Sequence, residues 1–139
     1  MKKEFKYFKI YKPYGMLSQF SKSNPGELTL ADLDYDFPKD VYPVGRLDKD
    51  SEGLLLLTND NQFKHKMTDP KFESEKTYWV QVDGDVLAEA LNRFEKGTID
   101  IKLKTGIYRC KPAKARILDS SETVVIPDRD PPIRFRKNI

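Results

Sequence analysis

The chain has 139 residues, a formal net charge of +3 and 34% charged residues, and this length suits a single domain with one sizeable core. The small positive charge allows a nucleic-acid partner without requiring one. The single cysteine excludes an internal disulfide, and with only one histidine beside it a structural zinc site of the usual four-ligand kind is excluded as well.

The first part of the chain predicts short strands separated by turns. Residues 5–11 alternate lysines with apolar side chains at a period close to two, which is typical of a strand with one solvated face. Pro13 and Gly15 break this strand, and Thr29 can cap a short helix further on. Residues 41–44 then predict a brief strand.

An unbroken apolar run follows at residues 53–58, and it predicts a strand buried on both faces. Asn59 or Asp60 can then cap a helix that has Phe63 on its apolar face and ends before Pro70.

The second part of the chain predicts a strand over residues 77–82 and an amphipathic helix over residues 86–94, with Gly97 as its C-terminal glycine. Three further β-like segments follow at residues 98–101, 107–118 and 122–126. Helices and strands are interspersed without strict alternation. We therefore expect an α+β fold with a mixed or mostly antiparallel sheet and flanking helices.

The densest chemical pattern lies at the entrance to the apolar strand. The charged run Gly45-Arg46-Leu47-Asp48-Lys49-Asp50-Ser51-Glu52 leads directly into Gly53 and four leucines. Charges this dense cannot be buried unpaired, so they must lie at the mouth of the strand, where a rigid core can hold a catalytic side chain still. On spacing alone, however, Asp48 is better explained as a turn residue that accepts from backbone N–H groups.

Three separate pieces of the chain resemble the RsuA/RluA-type RNA pseudouridine synthases. They are the Gly45-Arg46-Leu47-Asp48 run with its downstream leucine strand, Lys12-Pro13-Tyr14-Gly15, and Lys76-Thr77-Tyr78-Trp79-Val80. The variant Asp50-Ser51-Glu52-Gly53 and the late Pro131-Pro132-Ile133-Arg134 resemble the branch that acts on large-subunit ribosomal RNA. The resemblance covers nearly the whole chain, and it implies the catalytic core of such an enzyme.

The resemblance also implies roles for particular side chains. Asp48 would be the catalytic carboxylate, and Tyr78 would be a second catalytic residue, with its ring on the target base and its hydroxyl within reach of a proton. The candidates for RNA contact are Arg46, Lys12, Tyr14 and Lys76. Each of these residues, and Tyr78, also has an explanation without a function. Arg46 could form a surface ion pair with a nearby acid, and Lys12 and Tyr14 could simply belong to a turn. Lys76 could project into water, and Tyr78 could be a core residue.

The chemistry of uridine isomerisation breaks a C–N glycosidic bond, turns the detached uracil and remakes the link as a C–C bond. A carboxylate can serve as nucleophile or base in such chemistry, so the resemblance implies no metal and no cofactor. The implied partner is RNA, specifically 23S-type ribosomal RNA. Two other functions stay open: a non-catalytic RNA-binding module, and a glycosidase that pairs Asp48 with Asp50 or Glu52.

The end of the chain departs from the resembled family. Residues 128–139 contain nothing like the Gly-Arg-x-x-Gln-Val-Arg-Arg motif that supplies a cation for the catalytic aspartate. We therefore expect residues 1–139 to form the front part of a pseudouridine synthase catalytic domain, incomplete at its C-terminal end. For the same reason we expect this stretch by itself to show little or no isomerase activity.

The hydropathy pattern predicts a cytoplasmic protein that does not associate with a membrane, and we expect the chain to be a monomer. No apolar run approaches the roughly 18 residues of a membrane-spanning helix. The start of the chain, Met1-Lys2-Lys3-Glu4, also lacks the apolar stretch of a signal peptide.

Overall fold

The structure is a computed structural model, and it describes residues 2–82 and 84–122. The chain divides into two compact units, Met1–Thr77 and Tyr78–Ile139. The expectation that residues 1–139 form a single catalytic domain is not tested by this division and stays a prediction.

The first unit is built on a three-stranded antiparallel sheet. Its central strand is β5 (Gly53–Thr58), which lies between β1 (Tyr7–Lys12) and β4 (Tyr42–Pro43). β1 pairs with β5 along its whole length, whereas β4 pairs only with the far end of β5. The loop of residues 44–52, which contains the charges of the central motif, therefore runs back from the end of β4 to the start of the central strand.

The core of the first unit lies on one face of this sheet. Leu55 and Leu57 are buried, with Phe8 and Ile10 of β1 packed against the same core. Leu54, in contrast, is 67% exposed, so the prediction that the strand is buried on both faces is wrong. In an antiparallel sheet that is covered on one side, alternate residues point away from the core even when all of them are leucine.

Two short strands and a capped 3₁₀ helix also belong to this unit. β2 (Met16–Leu17) pairs in parallel with β3 (Leu28–Thr29), and a 3₁₀ helix follows at Leu30–Asp32. The Thr29 hydroxyl accepts from the Ala31 amide, and the Asp32 carboxylate accepts from the Thr29 amide, which is a capping box. The predicted cap at Thr29 is confirmed.

The first helix follows the central strand, as predicted. It is α1 (Asn61–Thr68), and the Asp60 carboxylate accepts from the backbone N–H groups of Gln62 and Phe63 at its N-terminus. The helix ends two residues before Pro70, whose ring cannot continue the hydrogen-bonding pattern.

The second unit contains the other helix and a hairpin. The helix is α2 (Ala88–Lys96), and Gly97 ends it in the left-handed conformation at φ 63°. A Cβ atom at Gly97 would come within 2.8 Å of Pro112, so the close approach also requires glycine. β6 (Asp100–Leu103) and β7 (Gly106–Arg109) pair in antiparallel fashion.

Strands and helices therefore form an α+β fold in which the described strand pairings are mostly antiparallel, as the sequence predicts. Two predicted strands differ: residues 77–82 form none, and the strand predicted over residues 107–118 ends at Arg109. High β propensity is insufficient without a neighbouring strand, and no described strand pairs with residues 77–82. The strand predicted at residues 122–126 lies beyond the described residues after its first position, and the tail at residues 128–139 lies wholly outside them.

Neither α1 nor α2, the α-helices of the described residues, is long and apolar enough to cross a membrane.

Candidate active site

The loop between β4 and β5, residues 44–52, carries the charges of the central motif. The Val44 amide donates to the Leu56 carbonyl (2.7 Å), and the Ser51 amide donates to the Asp48 carbonyl (3.0 Å). These bonds hold the loop against the central strand and turn it back at its far end. Asp48 itself is exposed, so the loop presents this residue at the surface of the first unit.

A buried serine holds the residue just before Asp48. The Ser18 hydroxyl donates to the Leu47 carbonyl (2.9 Å) and accepts from the Leu47 amide (3.0 Å), and Ser18 is only 3% exposed. One hydroxyl can fill both roles because it has a donor and acceptor lone pairs. Sequence reasoning missed Ser18, since a serine just after a short strand carries no distinguishing signal.

The residue just after Asp48 is held by different groups. The Lys49 carbonyl accepts from the Gly15 amide (2.8 Å) and from the Lys12 ammonium (3.3 Å). Asp48 thus lies between two residues whose backbones are tied to the same turn-and-strand segment. A fixed backbone beneath an exposed carboxylate is the arrangement that a nucleophile or a base requires.

Lys12 is the charged centre of this arrangement. Its side chain is fully buried, and its ammonium donates to the carbonyl oxygens of Met16 (2.8 Å), Pro13 (3.1 Å) and Lys49 (3.3 Å). An ammonium has three N–H donors, so these three acceptors use all of them. A buried charge that is fully hydrogen-bonded is tolerated where an unpaired one would not be.

The expected contact between Lys12 and RNA does not fit this environment. The ammonium has neither a free donor nor access to the surface, so we replace that expectation with a role in holding the loop. Burial lowers the pKa of Lys12, while the acids of the loop oppose this shift. Those acids are Glu52, Asp50 and Asp48.

The acids of the loop differ in their surroundings. Asp48 and Asp50 are exposed, whereas Glu52 is half-buried and accepts from the Tyr11 hydroxyl (3.1 Å). Within residues 2–82 and 84–122, no group of three or more His, Cys, Asp and Glu side chains is placed to hold a metal ion. The described site is a set of carboxylates close enough to a buried ammonium to influence its pKa.

Three other residues of the first unit are predicted to contact RNA, namely Arg46, Tyr14 and Lys76. Arg46 is exposed, donates to the Gln19 side-chain oxygen (3.2 Å), and forms no salt bridge with any residue that the structure describes. Tyr14 is half-buried beside Gly15, and Lys76 is exposed near the end of the unit. The structure therefore brings Arg46 and Tyr14 to the segments that hold Asp48.

Tyr78 belongs to the second unit. It is 56% exposed, and the segment that contains it forms no strand in the described chain. Its high exposure is at odds with a core position. Its role in the reaction remains a prediction.

Comparisons with known proteins place these features in context. A family model described as RNA pseudouridylate synthase matches residues 6–130. The "Ribosomal large subunit pseudouridine synthase E" of Xanthomonas axonopodis pv. citri is 48% identical over 131 residues, which cover 94% of this chain and 64% of that protein. The protein of the same name from Vibrio parahaemolyticus is 49% identical over 128 residues, which cover 92% of this chain and 49% of that protein.

A structural relative agrees with the sequence relatives. A solved structure titled "Crystal structure of pseudouridylate synthase" is similar with a TM-score of 0.69 and 36% identity, covering 84% of this chain and 48% of that chain. The chain spans between 49% and 65% of the length of the first curated relatives that it matches.

Proposed function

Because the chain belongs to the RNA pseudouridylate synthase family, we propose that it carries the catalytic aspartate of an enzyme that converts a uridine of large-subunit ribosomal RNA to pseudouridine. Asp48 is that aspartate. The observation that carries the proposal is the position of Asp48, exposed between two residues, Leu47 and Lys49, whose backbones are held by buried groups. The names of the relatives support a ribosomal RNA substrate and its large-subunit origin.

The reaction is an isomerisation and needs neither an oxidant nor a reductant. The bond between N1 of uracil and C1′ of ribose breaks, a bond between C5 of uracil and C1′ forms, and the hydrogen lost from C5 is balanced by one gained at N1. Asp48 attacks the sugar, attacks the ring, or takes a proton from the ribose; each of these roles requires an ionised carboxylate. Extrusion of the uridine from its stack costs a few kcal/mol, which RNA contacts must offset.

Three other side chains are proposed to contact the RNA. Arg46 is exposed beside Asp48, so its guanidinium can bind phosphate or fill the space that the flipped base leaves. Tyr14 and Lys76 are further candidates, the first by stacking and the second by binding phosphate. The test of the proposal compares pseudouridine in ribosomal RNA from cells that encode Asp48 with that from cells that encode Asp48→Asn.

Tyr78→Phe is expected to lower the rate of turnover much more than the affinity for RNA. The phenyl ring keeps the stacking surface, and only the hydroxyl is lost. Single-turnover rates of pseudouridine formation, measured beside equilibrium RNA binding, separate the two effects. Equal losses in rate and affinity would show that Tyr78 acts through the fold or through binding alone.

Ser18→Ala is expected to lower kcat by roughly tenfold or more and to leave RNA affinity almost unchanged. The substitution removes both bonds to the Leu47 backbone, and a displacement of about 1 Å at a catalytic group can cost on the order of a hundredfold in rate. Ser18→Thr retains the hydroxyl and should recover part of the rate. Ser23→Ala, at an exposed serine of the same segment, is the matched control. A loss of affinity equal to the loss of kcat would contradict a positioning role for Ser18.

A further inference from the structure

A recess opens beside the proposed catalytic loop. Its volume is about 620 Å³, and it is lined by residues that include Gln19, Phe20, Tyr42, Arg46 and Lys64, which we call the side recess. This volume is within the range of sites that bind small ligands. Sequence reasoning missed it, because its walls come from three separate segments of the chain, residues 18–21, 42–46 and 64–68.

The side recess is positively charged. Arg46 and Lys64 contribute two cations, and no Asp or Glu is among the described residues that line it. Lys64 holds its ammonium 5.1 Å from the centroid of the Tyr42 ring, where the negative face of the ring attracts it. A single phosphate would bind this ammonium more strongly than the ring does, because the ring carries no net charge.

The side recess also offers aromatic surface. Tyr42 is 53% exposed although it belongs to a strand, and Phe20 forms part of the same wall. Base stacking on aromatic side chains, with cations for the phosphates, is the usual way in which proteins hold single-stranded RNA. Gln19 and Thr68 also line the recess, and their neutral polar groups can hydrogen-bond to a base edge.

The side recess is adjacent to the proposed catalytic residue. Gly45 and Arg46 line it, and Asp48 follows Arg46 by two residues, so their Cα atoms are at most about 7 Å apart. Ser18, which holds Leu47, lines it too. A ligand in the recess therefore lies beside the nucleotide that would reach Asp48.

We propose that the side recess binds one nucleotide of the RNA strand next to the target uridine, with its base against Tyr42 and its phosphate between Lys64 and Arg46. The inference rests on the proposed function for its substrate class. It adds a subsite that selects the RNA context of the target uridine, in addition to the residues that react with it.

The test is the affinity of the full chain for a fluorescein-labelled 12-nucleotide oligouridylate, measured by fluorescence anisotropy. Tyr42→Leu is expected to weaken binding by about tenfold, which is typical of the loss of one stacked base. Lys64→Gln is expected to weaken it similarly and to reduce the slope of log affinity against log salt concentration by about 0.7, the value for one phosphate contact on a single strand.

Two matched variants serve as controls. Tyr42→Phe keeps the ring and should bind as the unmodified chain does. Lys66→Gln removes the same charge from an exposed position of α1 that does not line the side recess, and it should change affinity far less than Lys64→Gln. Circular dichroism of each variant verifies that the unit is folded.

A second probe separates the two parts of the proposal. On a 12-nucleotide abasic strand, which keeps phosphates and lacks bases, Tyr42→Leu should have no effect, whereas Lys64→Gln should still weaken binding. Any one of three results would overturn the proposal. The first is equal affinity of the Lys64→Gln and Lys66→Gln chains, and the second is an equal effect of Tyr42→Leu on both strands. The third is a failure of the unmodified chain to bind the oligouridylate. A similar loss at Lys64 for polyaspartate would indicate a general anion surface and overturn it as well. These affinities do not depend on turnover, so a failure here is distinct from a failure of the Asp48 assignment.

Discussion

Asp48→Asn is expected to abolish pseudouridine formation, with a loss of about 10⁴-fold or more that is typical when an essential nucleophile or base is removed. The amide has almost the same shape as the carboxylate, but it is neither a nucleophile nor a base. The loop should keep its conformation, because Asp48 takes part in the described loop bonds through its backbone carbonyl and its neighbours are held by Ser18, Gly15 and Lys12. Carbodiimide-based mapping of ribosomal RNA from cells that encode the variant measures the product.

Asp50→Asn is the matched control for this experiment. Asp50 is an exposed carboxylate of the same loop, two residues further on, so its replacement changes the local charge by the same amount. We expect it to retain most of the activity. Unchanged pseudouridine with Asp48→Asn would refute the assignment. If Asp50→Asn abolished product as fully, a carboxylate pair would be favoured over a single catalytic aspartate. If cells that encode the unmodified protein contain no pseudouridine made by it, although the chain binds RNA, the non-catalytic RNA-binding module is the better explanation.

Lys12→Met is expected to lower the free energy of unfolding by about 3 kcal/mol, because three hydrogen bonds from the ammonium to backbone carbonyl groups are lost at a cost of roughly 1 kcal/mol each. Methionine fills a similar volume, so the effect reports the lost hydrogen bonds rather than a cavity. The catalytic loop should also loosen, since the Lys49 carbonyl then keeps the Gly15 amide as its described partner. Urea denaturation followed by circular dichroism measures the first effect, and amide hydrogen exchange at Gly15 measures the second.

Lys9→Met provides the control, because Lys9 lies in the same strand but is exposed. We expect it to change the free energy of unfolding by less than about 0.5 kcal/mol. A similar small change for Lys12→Met would contradict the structural role of the buried ammonium.

The pH dependence of stability provides an independent check on Lys12. Burial lowers the pKa of Lys12 in the folded chain below the ordinary 10.5. Between the lowered pKa and 10.5, the unfolded chain therefore binds more protons than the folded chain, and this group raises the free energy of unfolding as pH rises. The difference in stability between the unmodified chain and Lys12→Met should accordingly increase with pH in that window. A difference that stays constant would indicate that burial does not perturb the ammonium.

The sequence by itself determined the elements that depend on neighbouring residues along the chain. β5 has the predicted bounds, because an apolar run between a glycine and polar residues has little alternative to a central strand. Asp60 and Thr29 cap the elements that follow them, and Gly97 ends α2, because caps and C-terminal glycines act over only a few residues. The central motif located the charged loop at the mouth of β5 for the same local reason.

Only the tertiary structure decided which of these side chains face solvent and which are enclosed. Leu54 is exposed and Lys12 buried, against the usual preference of each residue type, because the pleat of β1 and β5 assigns alternate positions to opposite faces. Residues 77–82 have strand propensity but no described strand beside them, and propensity does not supply a partner. The bonds of Ser18 to Leu47 and the walls of the side recess join residues that are distant along the chain. Such contacts depend on how segments meet in space, and no periodicity in the sequence encodes them.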